Sequence, residues 1–303
     1  MNEENNSKHY SGFVNIIGNP NVGKSTLMNA LLGDKLSIIT SKPQTTRHRI
    51  LGIWNDDNNQ IIFSDSPGII DDPQYQLHKR MNDAAFGGFE DADVLLFVTD
   101  IYEQYTGEEK VIENIRQIEC PKVLIINKVD MLKDVSRLEE ITNKWSEWLK
   151  FDKVFTISAK EKTGLAELLT FIRESMPEGP EYYPKDQLSD RTERFFVSEM
   201  IREQILLQYK QEIPYSSEVE VMSFKEGEAK AGPIIRIQAN IYVERPNQKN
   251  IIIGKNGSEI KKLGIASRAR MEEFFQKNIH LELHVSVKED WRRSERSLDV
   301  FGY

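Results

Sequence analysis

Gly18-Asn19-Pro20-Asn21-Val22-Gly23-Lys24-Ser25 decides how the N-terminal half of this 303-residue chain is read. The stretch closes an apolar run, Phe13–Gly18, and opens a segment with apolar residues at helical spacing, Lys24–Leu32. A glycine-rich turn between strand and helix lets several backbone N–H groups converge on one anion, and the helix N-terminus adds its positive end. The spacing GxxxxGK[ST] assigns Lys24 to the β- and γ-phosphates of a nucleotide and Ser25 to Mg²⁺. Gly18, Asn21, Val22, Gly23 and Thr26 complete the expected cradle.

Outward from that loop, strand-like runs recur at Ile50–Trp54, Ile61–Asp65, Val94–Asp100, Val123–Asn127 and Val154–Ser158. Helical patterns lie between them, Ser136–Leu149 among them. This alternation predicts an α/β domain, a mostly parallel sheet with helices on both faces. The ends of three further strands carry chemistry. Asn127-Lys128-Val129-Asp130 chooses the base, because the Asp130 carboxylate can accept from both N1–H and the 2-amino group of guanine, an edge that adenine lacks. Asn127 and the Lys128 stem would hold the loop and cover the base, and Ser158-Ala159-Lys160 would offer a backbone N–H to the guanine O6. Asp65-Ser66-Pro67-Gly68 sets Asp65 to hold Mg²⁺ through water and the Gly68 N–H to meet the γ-phosphate. A switch threonine that binds Mg²⁺ only with GTP is expected in Gln44-Thr45-Thr46-Arg47-His48-Arg49; Thr46 is favoured, and spacing leaves Thr45 open.

These elements predict a GTPase using GTP/GDP and Mg²⁺, with Asn21, Lys24, Thr46 and Gly68 as the catalytic candidates. Where Ras-like enzymes carry a water-orienting glutamine, this chain has Ile69, so slow intrinsic turnover is expected. Asn21 resembles the asparagine with which some GTPases lacking that glutamine bind K⁺; the alternative is an asparagine that only caps its loop.

Composition bounds the rest. No apolar run approaches the roughly 20 residues of a membrane helix. The polar first residues resemble no targeting peptide, and the single cysteine, Cys120, can form no internal disulfide, so a cytoplasmic protein is expected. The net charge is −8, which by itself disfavours nucleic acid. The charge is unevenly spread, however. Residues 1–179 carry −8 and residues 180–303 carry none, while the window 244–270 holds seven basic groups against two acidic ones.

That window contains Ile251-Ile252-Ile253-Gly254-Lys255-Asn256-Gly257-Ser258-Glu259-Ile260, an apolar lead, G-x-x-G and then a helix. It fits the KH pattern, whose loop clamps about four nucleotides of single-stranded backbone. The order around it reads helix, strand, strand, helix, helix, strand, an α+β type II KH domain. Gly254, Lys255, Asn256, Gly257, Lys261, Lys262 and Arg268 are the RNA-binding candidates, with Arg270 beside them. The expected division is a GTP-binding domain over 1–176, a Pro-rich linker over 177–190 and a KH domain over 191–303. The Trp291–Arg296 tail reads as a charged helix start or solvated face, with a place along RNA as the lesser alternative, and Trp145 and Trp148 read as packing residues.

The glycine-rich loop, Gln44–Arg49, Asp65-Ser66-Pro67-Gly68-Ile69, Ser189–Phe195, Glu212–Ser216, Leu263–Ala266 and His280–Leu283 together resemble the Era GTPases, from about Gly12 to Tyr303. The resemblance implies binding to the 3′ end of small-subunit (16S) ribosomal RNA, a role in maturation of the 30S subunit, and a monomer with peripheral association at the inner membrane. It implies nucleotide roles for Asn21, Lys24, Ser25, Thr46, Asp65, Gly68, Asn127, Lys128, Asp130 and Ser158-Ala159, and an RNA role for Gly254–Gly257 and the following helix. The rival reading is a signalling GTPase whose C-terminal domain binds a protein or a membrane surface.

Overall fold

The computed structural model describes residues 8–303 apart from 34, 41, 71, 89, 90, 104, 108, 135 and 231. Its contacts divide the chain into two compact units. The first comprises residues up to Ser37, Thr46–Pro73 and His78–Asp190; the second comprises Ile38–Thr45, Gln74–Leu77 and Arg191–Tyr303.

The first unit runs β1 (Tyr10–Ile17), α1 (Lys24–Leu32), β2 (Ile50–Asn55), β3 (Asn59–Asp65), α2 (Gln76–Phe86), β4 (Val94–Asp100), α3 (Lys110–Arg116), β5 (Lys122–Asn127), α4 (Ser136–Trp148), β6 (Lys153–Thr156) and α5 (Leu165–Ser175). The six strands lie in the order β2-β3-β1-β4-β5-β6. β2 is antiparallel to β3 and the other pairs are parallel. Val94-Leu95-Leu96-Phe97-Val98 is buried throughout, as a parallel strand covered on both faces requires. On one face Phe97, Ile17, Leu124 and Ile126 pack against Val111 and Ile115 of α3 and Trp145 of α4. Trp145 meets Phe97 edge-on at 4.9 Å and Trp148 at 5.3 Å, so both tryptophans are packing residues.

Residues 177–190 hydrogen-bond along this sheet. Pro177 accepts from the Ser11 N–H, Gln60 ties the backbone of Tyr182 and Tyr183, and Ser189 forms a bridge with Gly52 of β2.

The second unit contains α6 (Glu193–Gln208), a one-turn α7 (Ile213–Ser216), β7 (Glu218–Ala229), β8 (Gly232–Val243), α8 (Pro246–Ile253), α9 (Ser258–Phe275), β9 (Asn278–Val287) and α10 (Glu295–Phe301). β7 and β8 form an antiparallel hairpin, and β9 adds in parallel to β8 at the edge of the sheet. Thr192 caps α6 by accepting from the Phe195 N–H, and Pro246 stands at the start of α8, where its missing N–H costs nothing. Ile235, Ile237, Ala239 and Ile241 of β8 are fully buried beneath the helices. The tail departs from its expected solvation. Trp291 is fully buried and its indole N–H donates to the Ser216 carbonyl at 2.9 Å, so this aromatic anchors the C-terminus.

Candidate guanine-nucleotide site and nucleic-acid surface

The carboxyl ends of β1, β3, β5 and β6 deliver the candidate residues to one edge of the sheet, where open α/β sheets bind their ligands. α1 has no side-chain cap at its N-terminus, which leaves its first N–H groups for an anion. Gly23 sits there with φ 101°, and a Cβ would stand 2.3 Å from Asn127 Nδ2, so no L side chain fits. Gly68 is as confined, a Cβ there falling within 2.8 Å of the Pro20 backbone.

Lys24 is buried, and its ammonium donates to the carbonyls of Gly18 at 2.9 Å and Asn19 at 2.8 Å. Burial pushes its pKa down to about 8, against the opposing pull of the Asp65 and Glu103 carboxylates. Asp65 is fully buried, and neither carboxylate oxygen has a hydrogen bond of ordinary geometry. The hydroxyls of Ser25, Ser37 and Thr46 and the Lys24 ammonium face it, while burial raises its pKa. The Ser25 and Thr46 hydroxyls lie 3.0 Å apart. Two hydroxyls beside a buried carboxylate form an all-oxygen donor set, which fits a hard divalent cation such as Mg²⁺. Thr45 turns elsewhere; its hydroxyl lies 2.7 Å from that of Thr40 and donates to the Lys42 carbonyl. Ile69 is buried in the hydrophobic cluster, and its aliphatic side chain has no group with which to orient a water.

Asn127 joins the phosphate and base regions. Its amide donates to the Val22 carbonyl at 2.9 Å and its oxygen accepts from the Ala159 N–H at 3.0 Å. Lys128, in the left-handed region at φ 63°, donates to the Asn21 carbonyl at 2.7 Å and pairs with Asp100 at 2.5 Å. Asp100 escaped the motif reading; it ends β4 level with Asn127 across the parallel ladder, a register that only the folded sheet reveals. Asn21, Asp130 and Lys160 are exposed at the rim, Ser158 and Ala159 are buried, and Thr26 lies within α1.

In the second unit Gly254 ends α8 at φ 71°, and a Cβ there would stand 2.9 Å from the Glu259 backbone nitrogen. Lys255 and Asn256 are exposed in the tight turn that Gly257 closes before α9. Beyond it, a groove of about 330 Å³ lies between α9 and β9. Ile260, Lys261, Gly264, Ile265 and Arg268 form its helical wall, and Leu281 and Leu283 are among the residues of its strand wall. Lys261 and Arg268 therefore share the groove, Arg268 with Glu272 at 3.7 Å beside it, whereas Lys262 is paired with Glu259 at 2.7 Å outside it. Arg270 is drawn to Glu203 at 3.4 Å. The apolar wall residues and Gly264 carry no charge signal in the sequence.

Two family models match the chain. Residues 13–128 match the model described as 50S ribosome-binding GTPase, and residues 212–292 match the KH domain model. GTPase Era of Syntrophus aciditrophicus is 45% identical over 294 residues, covering 97% of this chain and 95% of its own. The chloroplastic GTPase ERA1 of Zea mays is 44% identical, covering 98% of this chain and 71% of its own. A solved structure of Era with MgGDPNP and nucleotides 1506–1542 of 16S ribosomal RNA superposes with a TM-score of 0.89 at 36% identity, covering 97% of this chain and 99% of the other. A variant of Aquifex aeolicus Era bound to GDP·AlF₄⁻ gives the same score, identity and coverage. This chain belongs to the Era family of GTPases.

Proposed function

We propose that the chain is a GTP-hydrolysing switch that binds the 3′ end of 16S ribosomal RNA through its KH unit and assists maturation of the 30S subunit. The observation that carries the nucleotide half is the convergence of Ser25, Thr46 and Asp65 beside the buried Lys24. Support for the RNA half comes from the relative bound to 16S nucleotides and from the cationic groove beside the Gly254–Gly257 turn. Ribosomal RNA as partner makes the cytoplasm the site of action. No helix among the described residues is long and apolar enough to cross a membrane; the proposed association with the inner membrane is a peripheral one.

In this reading the N–H groups of Val22 to Thr26 hold the nucleotide's phosphates, and Lys24 leaves the Gly18 and Asn19 carbonyls to meet the β- and γ-phosphates. Ser25 and Thr46 would hold Mg²⁺, with Asp65 reaching it through water, and the ion would supply positive charge for the phosphate oxygens. The Gly68 N–H meets the γ-phosphate, Asp130 reads guanine, and the Ala159 region closes over the base. Because the Ile69 side chain has no hydrogen-bonding group, water must be oriented by other groups, and Asn21 at the loop's exposed rim is the candidate holder of a K⁺ ion.

The direct test is GTP turnover by the purified protein alongside Ser25→Ala and Asp65→Ala. Release of phosphate by the wild type, abolished in both variants while GDP still binds without Mg²⁺, supports the assignment. Unchanged turnover in the variants removes these residues from the site.

A further inference from the structure

The connection after β4 brings to the phosphate loop a carboxylate that no motif marks. Asp100, at the end of β4, accepts from the N–H groups of Tyr102 at 2.8 Å and Glu103 at 3.1 Å and closes the turn. The half-buried Glu103 carboxylate accepts from the Thr99 hydroxyl at 2.8 Å. The Asn19 side chain bonds the same carboxylate, while the Asn19 carbonyl accepts from the Lys24 ammonium at 2.8 Å. One residue of the loop thus joins Glu103 to Lys24. Burial raises the Glu103 pKa, and the bonds from Thr99 and Asn19 favour its charged form. That charge pulls on Lys24 in the same sense as Asp65 does. Asp65 is assigned to Mg²⁺, whereas Glu103 has no part in the nucleotide roles above. Closing the turn needs no charge, since a glutamine oxygen would accept from Thr99 as well. The charge matters to a ligand that competes for Lys24. Phosphates do so, and like charges repel more strongly in a half-buried site than in water.

We propose that Glu103 is a positioning residue that sets the rate of GDP release: its carboxylate is the resident counterion of Lys24, competes with the phosphates of GDP for that ammonium and keeps the complex short-lived. The proposal rests on the placement of Lys24 at the phosphates given above. It supplies the chain with its own means of discharging GDP after hydrolysis. Removing the charge while keeping the hydrogen bonds must therefore tighten the hold on phosphates and leave the hold on the base as it was.

The experiment compares wild type, Glu103→Gln and Glu103→Asp in stopped-flow release of a fluorescent GDP chased by excess GDP in Mg²⁺ buffer. Guanosine affinity and thermal melting are measured in parallel. Glu103→Gln should slow release about five- to tenfold, as loss of one like charge beside the phosphates implies. Its guanosine affinity should match wild type, with no fall in Tm. Glu103→Asp, which keeps the charge, should stay closer to wild type than Glu103→Gln does. Release from Glu103→Gln as fast as from wild type, or faster, overturns the proposal. So does equal slowing in Glu103→Asp, because charge would then not be the cause. A matching gain in guanosine affinity overturns it too, because the whole site would then have tightened. A Lys24→Ala variant that binds GDP as well as wild type overturns the placement of Lys24 and the proposal with it, a result distinct from the others.

Discussion

Asn127→Ala probes the clamp on which the nucleotide site depends. The side chain is buried and spans two loops, with one bond to the Val22 carbonyl and one from the Ala159 N–H. Truncation removes both bonds and leaves a buried acceptor and a buried donor without partners. Each lost bond is worth about 0.5–1.5 kcal/mol net, and each orphaned group costs about 1–3 kcal/mol where water cannot reach it. Water entering the space left by the amide recovers part of this, so about 2–4 kcal/mol is the expected loss for the site. If nucleotide must re-impose the clamp to bind, 2 kcal/mol of that loss corresponds to about a 30-fold rise in the Kd for GDP. Calorimetric titration with GDP measures the affinity, and urea unfolding monitored by circular dichroism checks that the variant remains folded. A folded variant that binds GDP within threefold of wild type would refute the idea that Asn127 organises the phosphate and base loops together.

Three further outcomes follow from the same site. In the empty site the pKa of Lys24 lies near 8, and a bound phosphate favours its charged form and raises it. Binding therefore takes up a proton above pH 8, and GDP affinity measured in EDTA should be flat in this respect near pH 7 and fall toward tenfold per unit above pH 8; a flat profile to pH 9.5 contradicts the placement of Lys24. Asp130→Asn exchanges an acceptor pair for an amide, so GDP should bind at least about 100-fold more weakly and a xanthine nucleotide, with an oxygen at position 2, should bind better than GDP in competition assays. Replacing K⁺ by Na⁺ should slow GTP hydrolysis markedly if Asn21 holds the ion, and equal rates in the two salts would remove that role.

Much of the architecture was legible because buried parallel strands write themselves as unbroken apolar runs. Val94–Asp100 appears as β4 with the bounds read from its pattern, and the other five strands of the first unit lie within a few residues of theirs. The Mg²⁺-ligand candidates Ser25 and Asp65 were legible too, since they follow from motif spacing alone. The choice between adjacent Thr45 and Thr46 was not, because it depends on which hydroxyl the backbone turns toward Ser25. Trp291 was misread for a related reason. Its neighbours Arg292, Arg293 and Glu295 make the local pattern polar, and only the tertiary fold brings the Ser216 carbonyl to the indole. The Pro-rich stretch 177–190 carries no strand signal, yet Gln60, itself buried in β3, supplies the hydrogen bonds that hold it. β7 runs on to Ala229 through Lys225-Glu226-Gly227-Glu228, because the charged end of the hairpin is held by pairing with β8 where no apolar alternation remains.

A GTP-hydrolysing switch on RNA requires that nucleotide state govern RNA binding, and this is tested most directly by titrating the purified protein with the 3′-terminal 16S oligonucleotide in the presence of GDP and of GDPNP. The account predicts tighter binding with GDPNP, abolished by Gly254→Asp, which sets a carboxylate where φ is positive and a phosphate must approach. Equal affinity in the two nucleotide states would contradict the switch, and failure to bind in either state would contradict the RNA assignment itself.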